Sequence, residues 1–371
     1  MKSLGFIVNP IAGMGGAVGL KGTNGQDVLE KAIRLGAVPK APERARRFLR
    51  GIASFKHSVR IYTCAGIMGQ SECVDEEIVP FEVIGTAKER TGPEDTKKAA
   101  IEMHHRGVAL LVFCGGDGTA KDIMDAIDRN VAALGVPAGV KVHSSVFAIN
   151  PAEAARIALA FLRDELPTKE MEVMDIDEDA FREGRLSAEL YGYLLTPFEE
   201  SLMQGMKISS LQTENEIEAQ RAIAKQVIEE MEEDCCYIVG PGTTNRTLLE
   251  TLGLRKTLLG VDVIKNRSII AEDVNERQLL QLIEKEDAKI IVTPIGGQGY
   301  IFGRGNQQIS SAVIRKIGKD NIIVIATKNK LYALTQKRLL IDTGDSTLDA
   351  QLRGYTRVIT GYKEETIVKV E

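Results

Sequence analysis

"LLVFCGGDGTAKD", residues 110–122, decides how this chain is read. Leu110 to Cys114 form an apolar run of strand length, and it empties into Gly115, Gly116, Asp117, Gly118 and Thr119. A short apolar run bounded by glycines fits a strand buried on both faces of a parallel sheet. The glycines permit positive φ and close backbone approach, and Thr119 is placed to cap a following helix whose Ile123 and Ile127 face inward. Backbone amides at a helix start make a mouth suited to phosphate. An acid is a poor phosphate ligand, because like charges repel. Beside the phosphates it is useful, since it accepts a proton from an attacking hydroxyl or holds Mg²⁺. The plainer alternative is a tight turn with a solvated Asp117.

Upstream, "LGFIV" (4–8), "SVRIYT" (58–63) and "FEVIGT" (81–86) read as further short strands. Between the last of these and Leu110, "TGPEDTKKAAIEMHHRG" reads as a punctuated helix. Pro93 suits its first turn, Glu94 and Asp95 favour its N-terminal dipole, His104 to Arg106 favour the other end, and Gly107 stops it. Asp95 and Thr96 either cap that helix or contact a substrate. Alternating strands and helices predict an N-terminal Rossmann-like parallel α/β domain over residues 1–150. Ligands of such sheets bind beyond the carboxyl ends of the strands. Both "VNPIAGMGG" and "FCGGDGT" fall there.

Length and composition set the bounds. At 371 residues the chain exceeds one ordinary core, and 44% hydrophobic with 27% charged residues is usual for a globular protein. A formal charge of −5 gives no support to nucleic-acid binding. No apolar run approaches the ~18 residues of a transmembrane helix, so no membrane partner and a cytoplasmic location are expected. The five cysteines, Cys64, Cys73, Cys114, Cys235 and Cys236, show no CxxC pair and predict reduced, mostly buried thiols. Four histidines argue against a multi-histidine metal centre. The basic run "KAPERARRFLRG" places Lys40, Arg44, Arg46, Arg47 and Arg50 on one helix, either as a solvated face or as an anion-steering patch.

Residues 151–371 are expected to form a C-terminal domain. "EMEVMDIDEDAFREGRLSAELYGYLLTP" (170–197) alternates around "REG" like a hairpin, and "ENEIEAQRAIAKQVIEEME" (214–232) is an amphipathic helix. From Cys235 to about Leu334 the α/β grammar returns, and residues 335–371 read as strands. The expectation is a β-rich part built from 168–210 and 335–371, carrying an inserted α/β unit over 211–334.

The pairing of "GGDGT" with "NPIAGMGG" resembles the superfamily of NAD kinases, diacylglycerol kinases and sphingosine kinases. The words "VGLKGTNG" (18–25), "GVPAGVKVHSSVFAINP" (135–151), "GPGTTNRTLLETLG" (240–253), "TPIGGQGYIFGRGNQQIS" (293–310) and "DTGD" (342–345) look like its prokaryotic, largely archaeal branch, described as ATP-NAD kinase or AcoX-like. The resemblance spans nearly the whole chain. It implies that Asp117 is the general base acting on the NAD ribose 2′-hydroxyl, with ATP or polyphosphate as donor, Mg²⁺ on the donor phosphates, and a homo-oligomer. Gly115, Gly116, Gly118 and Thr119 would then shape the nucleotide site, and Asn9, Pro10, Gly13, Gly15 and Gly16 the opposing phosphate loop. Lys141 or His143, in "PAGVKVHS", would touch phosphate. NAD kinases of bacteria and eukaryotes carry an Asn-Glu pair for the adenine and ribose. Here Asn215-Glu216 and Asn275-Glu276 sit in helix-like surroundings that do not match that motif.

A second glycine set lies downstream. Gly240, Gly242, Thr243 and Thr244 fall between a strand and a helix, where amides and hydroxyls suit a phosphate. Their word looks similar to the loops of sugar-phosphate isomerases and sugar-responsive regulators. Gly296, Gly297, Gln298 and Gly299 follow, with Arg304, Asn306 and Gln307 as polar reachers and Arg304 able to grip phosphate through two bonds. Two tight structural turns are the alternative. Asp342 and Asp345 either cap turns or bind Mg²⁺. Three functions remain open on these residues: an NAD kinase, a kinase of the same fold for another hydroxyl acceptor such as a polyol, a sugar phosphate or a lipid, and a non-catalytic nucleotide or sugar-phosphate sensor.

Overall fold

The computed structural model describes residues 2–20, 26–138, 142–176, 188–199, 202–203, 214–257, 259–295, 297–334 and 337–371. The chain divides into two compact units, Met1–Met14 with Gly22–Met206, and Gly15–Lys21 with Lys207–Glu371. Lys141, Gly296 and the "REG" of the expected hairpin lie outside the described residues.

The first unit holds β1 (Ser3–Val8), β2 (Arg60–Cys64), β3 (Phe81–Ile84), β4 (Leu110–Gly115) and β5 (Ala132–Pro137) in the order β3-β2-β1-β4-β5. All neighbours are parallel, and Leu4 to Val8 pair with Leu110 to Cys114 in unbroken register. Alternation along the strands explains why both faces are covered. Leu4, Phe6, Leu110, Val112 and Cys114 meet Phe48 and Leu49 of the helix Ala41–Ile52 and Ala154 and Ala158 of the helix Pro151–Leu162. Ile7, Leu111 and Phe113 face the other way, toward Met103 of the helix Pro93–His105 and Ile123 and Ile127 of the helix Asp117–Ile127. The expected helix over 93–107 is therefore present. Asp95 accepts from the Gly92 amide at 3.0 Å, which is a capping role.

Three features differ from the expected domain division. The boundary falls near residue 206 instead of 150. β6 (Thr168–Ile176) and β7 (Ala188–Pro197) pair with each other, and Met171, Val173 and Leu194 bury into the first unit beside Ile123. β15 (Gly354–Gly361) and β16 (Glu364–Val370) extend the second unit's sheet. Among the described residues, the strands of 168–210 and of 335–371 thus join different sheets, not the common β-rich part expected. Alternation identifies a strand, but the partner whose apolar face it covers decides the sheet it joins.

The second unit orders its strands β10-β9-β8-β11-β13-β15-β16, from β8 (Cys236–Val239), β9 (Asp262–Lys265), β10 (Ser268–Ala271), β11 (Ala288–Val292), β13 (Ile322–Ile325) and the two just named. β8, β11, β13 and β15 run parallel, while β9, β10 and β16 add antiparallel edges. A short pair, β12 (Tyr300–Phe302) with β14 (Leu340–Ile341), stands apart from it. Ile223 and Val227 of the helix Glu214–Glu229 cover one face with Leu248 and Leu249, and Leu279, Val313 and Ile314 cover the other. Among the described residues no helix is long and apolar enough to cross a membrane. All five cysteines are buried and unbridged, and burial pushes the Cys64 and Cys73 thiols up to about 12. The basic helix spends its charge locally, with Arg46 on Asp75 at 3.0 Å and Arg50 on Glu76 at 2.8 Å.

Glu72 carries a pH-dependent cost. It is 3% exposed, and its Oε2 has no hydrogen-bond partner. Burial pushes its carboxyl from 4.5 up to about 7, with Arg46 opposing the shift. The fold thus favours the protonated form. That stabilisation is complete below 4.5 and is lost as pH rises toward about 7. Glu72→Gln is expected to remove this slope, gaining up to about 3 kcal/mol on the wild type across that window. Urea denaturation at several pH values checks it, and parallel curves for the two proteins would refute it.

Candidate active site at the carboxyl ends of β1 and β4

In the first sheet the chain runs outward from β1 to β2 and β3, then returns to the other side of β1 as β4. The gap between β1 and β4 is the point where the order reverses, and loops there diverge to leave a crevice. Both N-terminal motifs leave the sheet at this point. Asn9 follows β1 directly, and its amide donates to the Cys114 carbonyl at 3.0 Å. Its Oδ1 accepts from the Ile11 amide at 3.3 Å, while its Nδ2 donates to Thr119 Oγ1 at 2.9 Å. Thr119 is buried and does not cap the helix, because Gly116 holds the N-cap position. Its hydroxyl instead ties the two loops together.

Asp117 is the first residue of its helix, where a negative charge meets the positive end of the dipole. Its carboxylate accepts from the His143 amide at 3.0 Å on Oδ1 and 2.9 Å on Oδ2. The Ser144 amide and hydroxyl donate to Oδ1 at 2.8 and 2.6 Å. Ser144 Oγ in turn accepts from the Met174 amide at 3.0 Å, and Ser145 is bonded to Glu172 of the same strand. β6 therefore fixes the 143–145 segment, and that segment fixes the acid. The sequence drew attention to Lys141 and His143 for their side chains. Among the described residues, the His143 backbone amide and Ser144 next to it donate to Asp117. One turn along, burial pushes the Asp122 carboxyl up to about 6, against the pull of Lys97.

Gly13 closes this end of the sheet. It has φ +81°, and a Cβ there would lie 2.1 Å from the Ala138 carbonyl oxygen. Ala138 itself donates to the Gly115 carbonyl at 3.0 Å. Gly13→Ala is expected to displace the loop and to destabilise the protein by about 1–3 kcal/mol, read as a fall in melting temperature. An unchanged melting curve would show that the loop adapts freely. Pro10 is buried beside this turn, whereas Gly15 and Gly16 belong with the second unit, Gly16 packing against Gln307. The expected phosphate loop is thus divided between the units after Met14.

The second sheet repeats the arrangement. Its order reverses between β8 and β11, and Gly240 to Thr244 follow β8 while Thr293 follows β11. The Gly240 amide donates to the Ile291 carbonyl at 2.9 Å, and Asn245 Nδ2 donates to the Gly240 carbonyl at 2.8 Å. Arg304 and Asn306 are drawn into the fold instead. Arg304 pairs with Asp342 at 3.2 Å with both side chains buried, and Asn306 bridges the Gly303 amide and the Ile301 carbonyl. Gly299, at φ +84°, is buried, while Gly297 is exposed and Gln298 half-buried. Asp345 caps the helix Ser346–Leu352 and pairs with Arg315. Among the described residues no group of three or more His, Cys, Asp or Glu could hold a metal ion. Asn275 caps the helix Glu276–Leu282, and Asn215-Glu216 opens the helix Glu214–Glu229, in keeping with their sequence surroundings.

Residues 4–166 match the family model described as the ATP-NAD kinase N-terminal domain, and residues 232–370 match the ATP-NAD kinase C-terminal domain. No curated protein and no solved structure gives a match. The two matched domains are halves of one family and together take in more than half of the chain, so it belongs to the ATP-NAD kinase family and is a phosphotransferase of the NAD kinase type.

Proposed function

We propose that the protein phosphorylates the 2′-hydroxyl of NAD to give NADP, with ATP or polyphosphate as donor, as a member of the archaeal-type, AcoX-like branch. One observation carries the reading: an aspartate at the first turn of a helix, at the order reversal of a parallel sheet, gripped by an independent segment. In this assignment the 2′-oxygen attacks the terminal phosphorus, the bond from that phosphorus to the bridging oxygen breaks, and ADP or the shortened polyphosphate leaves with the electron pair. The hydroxyl proton passes to Asp117. The amides of Gly116 and Gly118 at the helix start and the loop of Asn9 to Gly13 suit donor phosphates. Mg²⁺ bound with those phosphates supplies charge neutralisation, and Asp117 is the carboxylate of this mouth. Catalysis then rests mainly on positioning. ATP and NAD are its small-molecule partners in this reading, in a cytoplasmic homo-oligomer.

The test is direct. Purified protein with NAD, Mg²⁺ and either ATP or polyphosphate should accumulate NADP. No NADP with either donor would turn the reading toward another hydroxyl acceptor or toward a sensor.

A further inference from the structure

We infer that the second unit carries its own binding site for a phosphate monoester of a small hydroxylated molecule, at the order reversal between β8 and β11. The helix Thr243–Thr251 begins there, so its first amides point out of the carboxyl edge of the sheet toward the position an anion occupies. Gly242 has φ +122°, and a Cβ on it would lie 2.4 Å from the Thr293 side chain, so the loop is drawn tight over the end of β11.

The second observation concerns side chains without partners. Thr244 is 1% exposed, and its hydroxyl makes no hydrogen bond. Asn245 is fully buried, with its Nδ2 on the Gly240 and Ile291 carbonyls and its Oδ1 unbonded. A buried polar atom left unpaired weakens the fold. Two successive residues of this kind at a helix start are what a site looks like when its ligand supplies the missing bonds. The cation is close by. Lys330, half-buried at the start of a short helix after β13, donates to Thr293 Oγ1 at 3.1 Å.

Ligand class follows from the neighbouring charge. Glu216 is buried at the end of β13, where Thr327 Oγ1 donates to it at 2.6 Å and Asn329 Nδ2 at 3.3 Å. A buried carboxylate at these strand ends disfavours a polyanion. It suits a single phosphate on a small hydroxylated scaffold. This site is built from residues of the second unit alone, and its existence does not depend on which acceptor the Asp117 mouth uses.

The test titrates full-length protein with inorganic phosphate, ribose 5-phosphate, ATP and polyphosphate at constant ionic strength, following hydrogen exchange of amides 240–247. Ribose 5-phosphate should protect those amides, and bind at least tenfold more tightly than polyphosphate does there. Thr244→Val should weaken this binding about tenfold or more while raising the melting temperature of the ligand-free protein by about 2–4 °C, because an orphaned hydroxyl has gone. Lys330→Gln should weaken binding without that rise, and Asp117→Asn should leave the protection intact. Absent protection at 240–247, equal preference for polyphosphate, or unaltered binding in both site variants would overturn the inference. A wild type that binds ribose 5-phosphate here yet makes no NADP would refute the kinase reading and leave this one standing.

Discussion

Asp117→Asn is expected to lower NADP formation by about 10²–10⁴-fold, the usual contribution of a positioned acid or base. The substitution keeps the shape of the side chain and one acceptor oxygen. The bonds from the His143 amide and from Ser144 therefore keep a partner. In the proposed reaction, what is lost is the ability to take up the proton of the attacking hydroxyl. Donor binding should change by no more than a few-fold, since the helix-start amides are untouched, and the deficit should appear in kcat rather than in the donor KM. Steady-state kinetics with calorimetric measurement of donor binding separates the two. A loss confined to binding would show that Asp117 shapes the loop without handling the proton.

The largest stability effect is expected at Lys256 and Asp262. Their side chains are 1% and 0% exposed, and the ammonium lies 2.9 Å from the carboxylate. Asp262 also accepts from the Thr257 amide and hydroxyl and from the Asp273 amide, while Lys256 donates to the Gly260 carbonyl. Lys256→Met removes the ammonium that faces Asp262 and strands a carboxylate in the interior. The expected cost is about 3–5 kcal/mol in the second unit's unfolding. Replacing both residues, as Lys256→Met with Asp262→Leu, should recover a large part of that loss. Denaturant midpoints for the two single variants and the double variant form the cycle. A single-variant loss below about 1 kcal/mol would mean that water reaches the pair.

Much of the first unit was legible because its signals are local. The run Leu110–Cys114, the glycines after it and the punctuation of the helix at Pro93 each declare themselves within a few residues. Of the residues that the fold brings together at the ends of β1 and β4, Asp117, Asn9 and Thr119 were legible. Ser144 was not, because its part depends on β6 pressing the 143–145 segment onto the acid, and no local pattern announces that contact. Arg304 shows the opposite failure. A guanidinium in a glycine-rich stretch suggests phosphate, yet the chain brings Asp342 to it from 38 residues away. Strand partnership was misjudged for a related reason. β6, β7 and β15 were visible as strands, but the faces they cover lie far off in sequence.

The bond from Asn9 to Thr119 spans 110 residues of sequence. Its formation closes a loop that contains β2, β3 and the helices between them. Contacts of such separation are slow to form, since the loop-closure entropy is lost before the contact repays it. Turnover is therefore a late reporter of refolding. Helical signal should return first, and catalytic competence only when the two ends of this long loop have met.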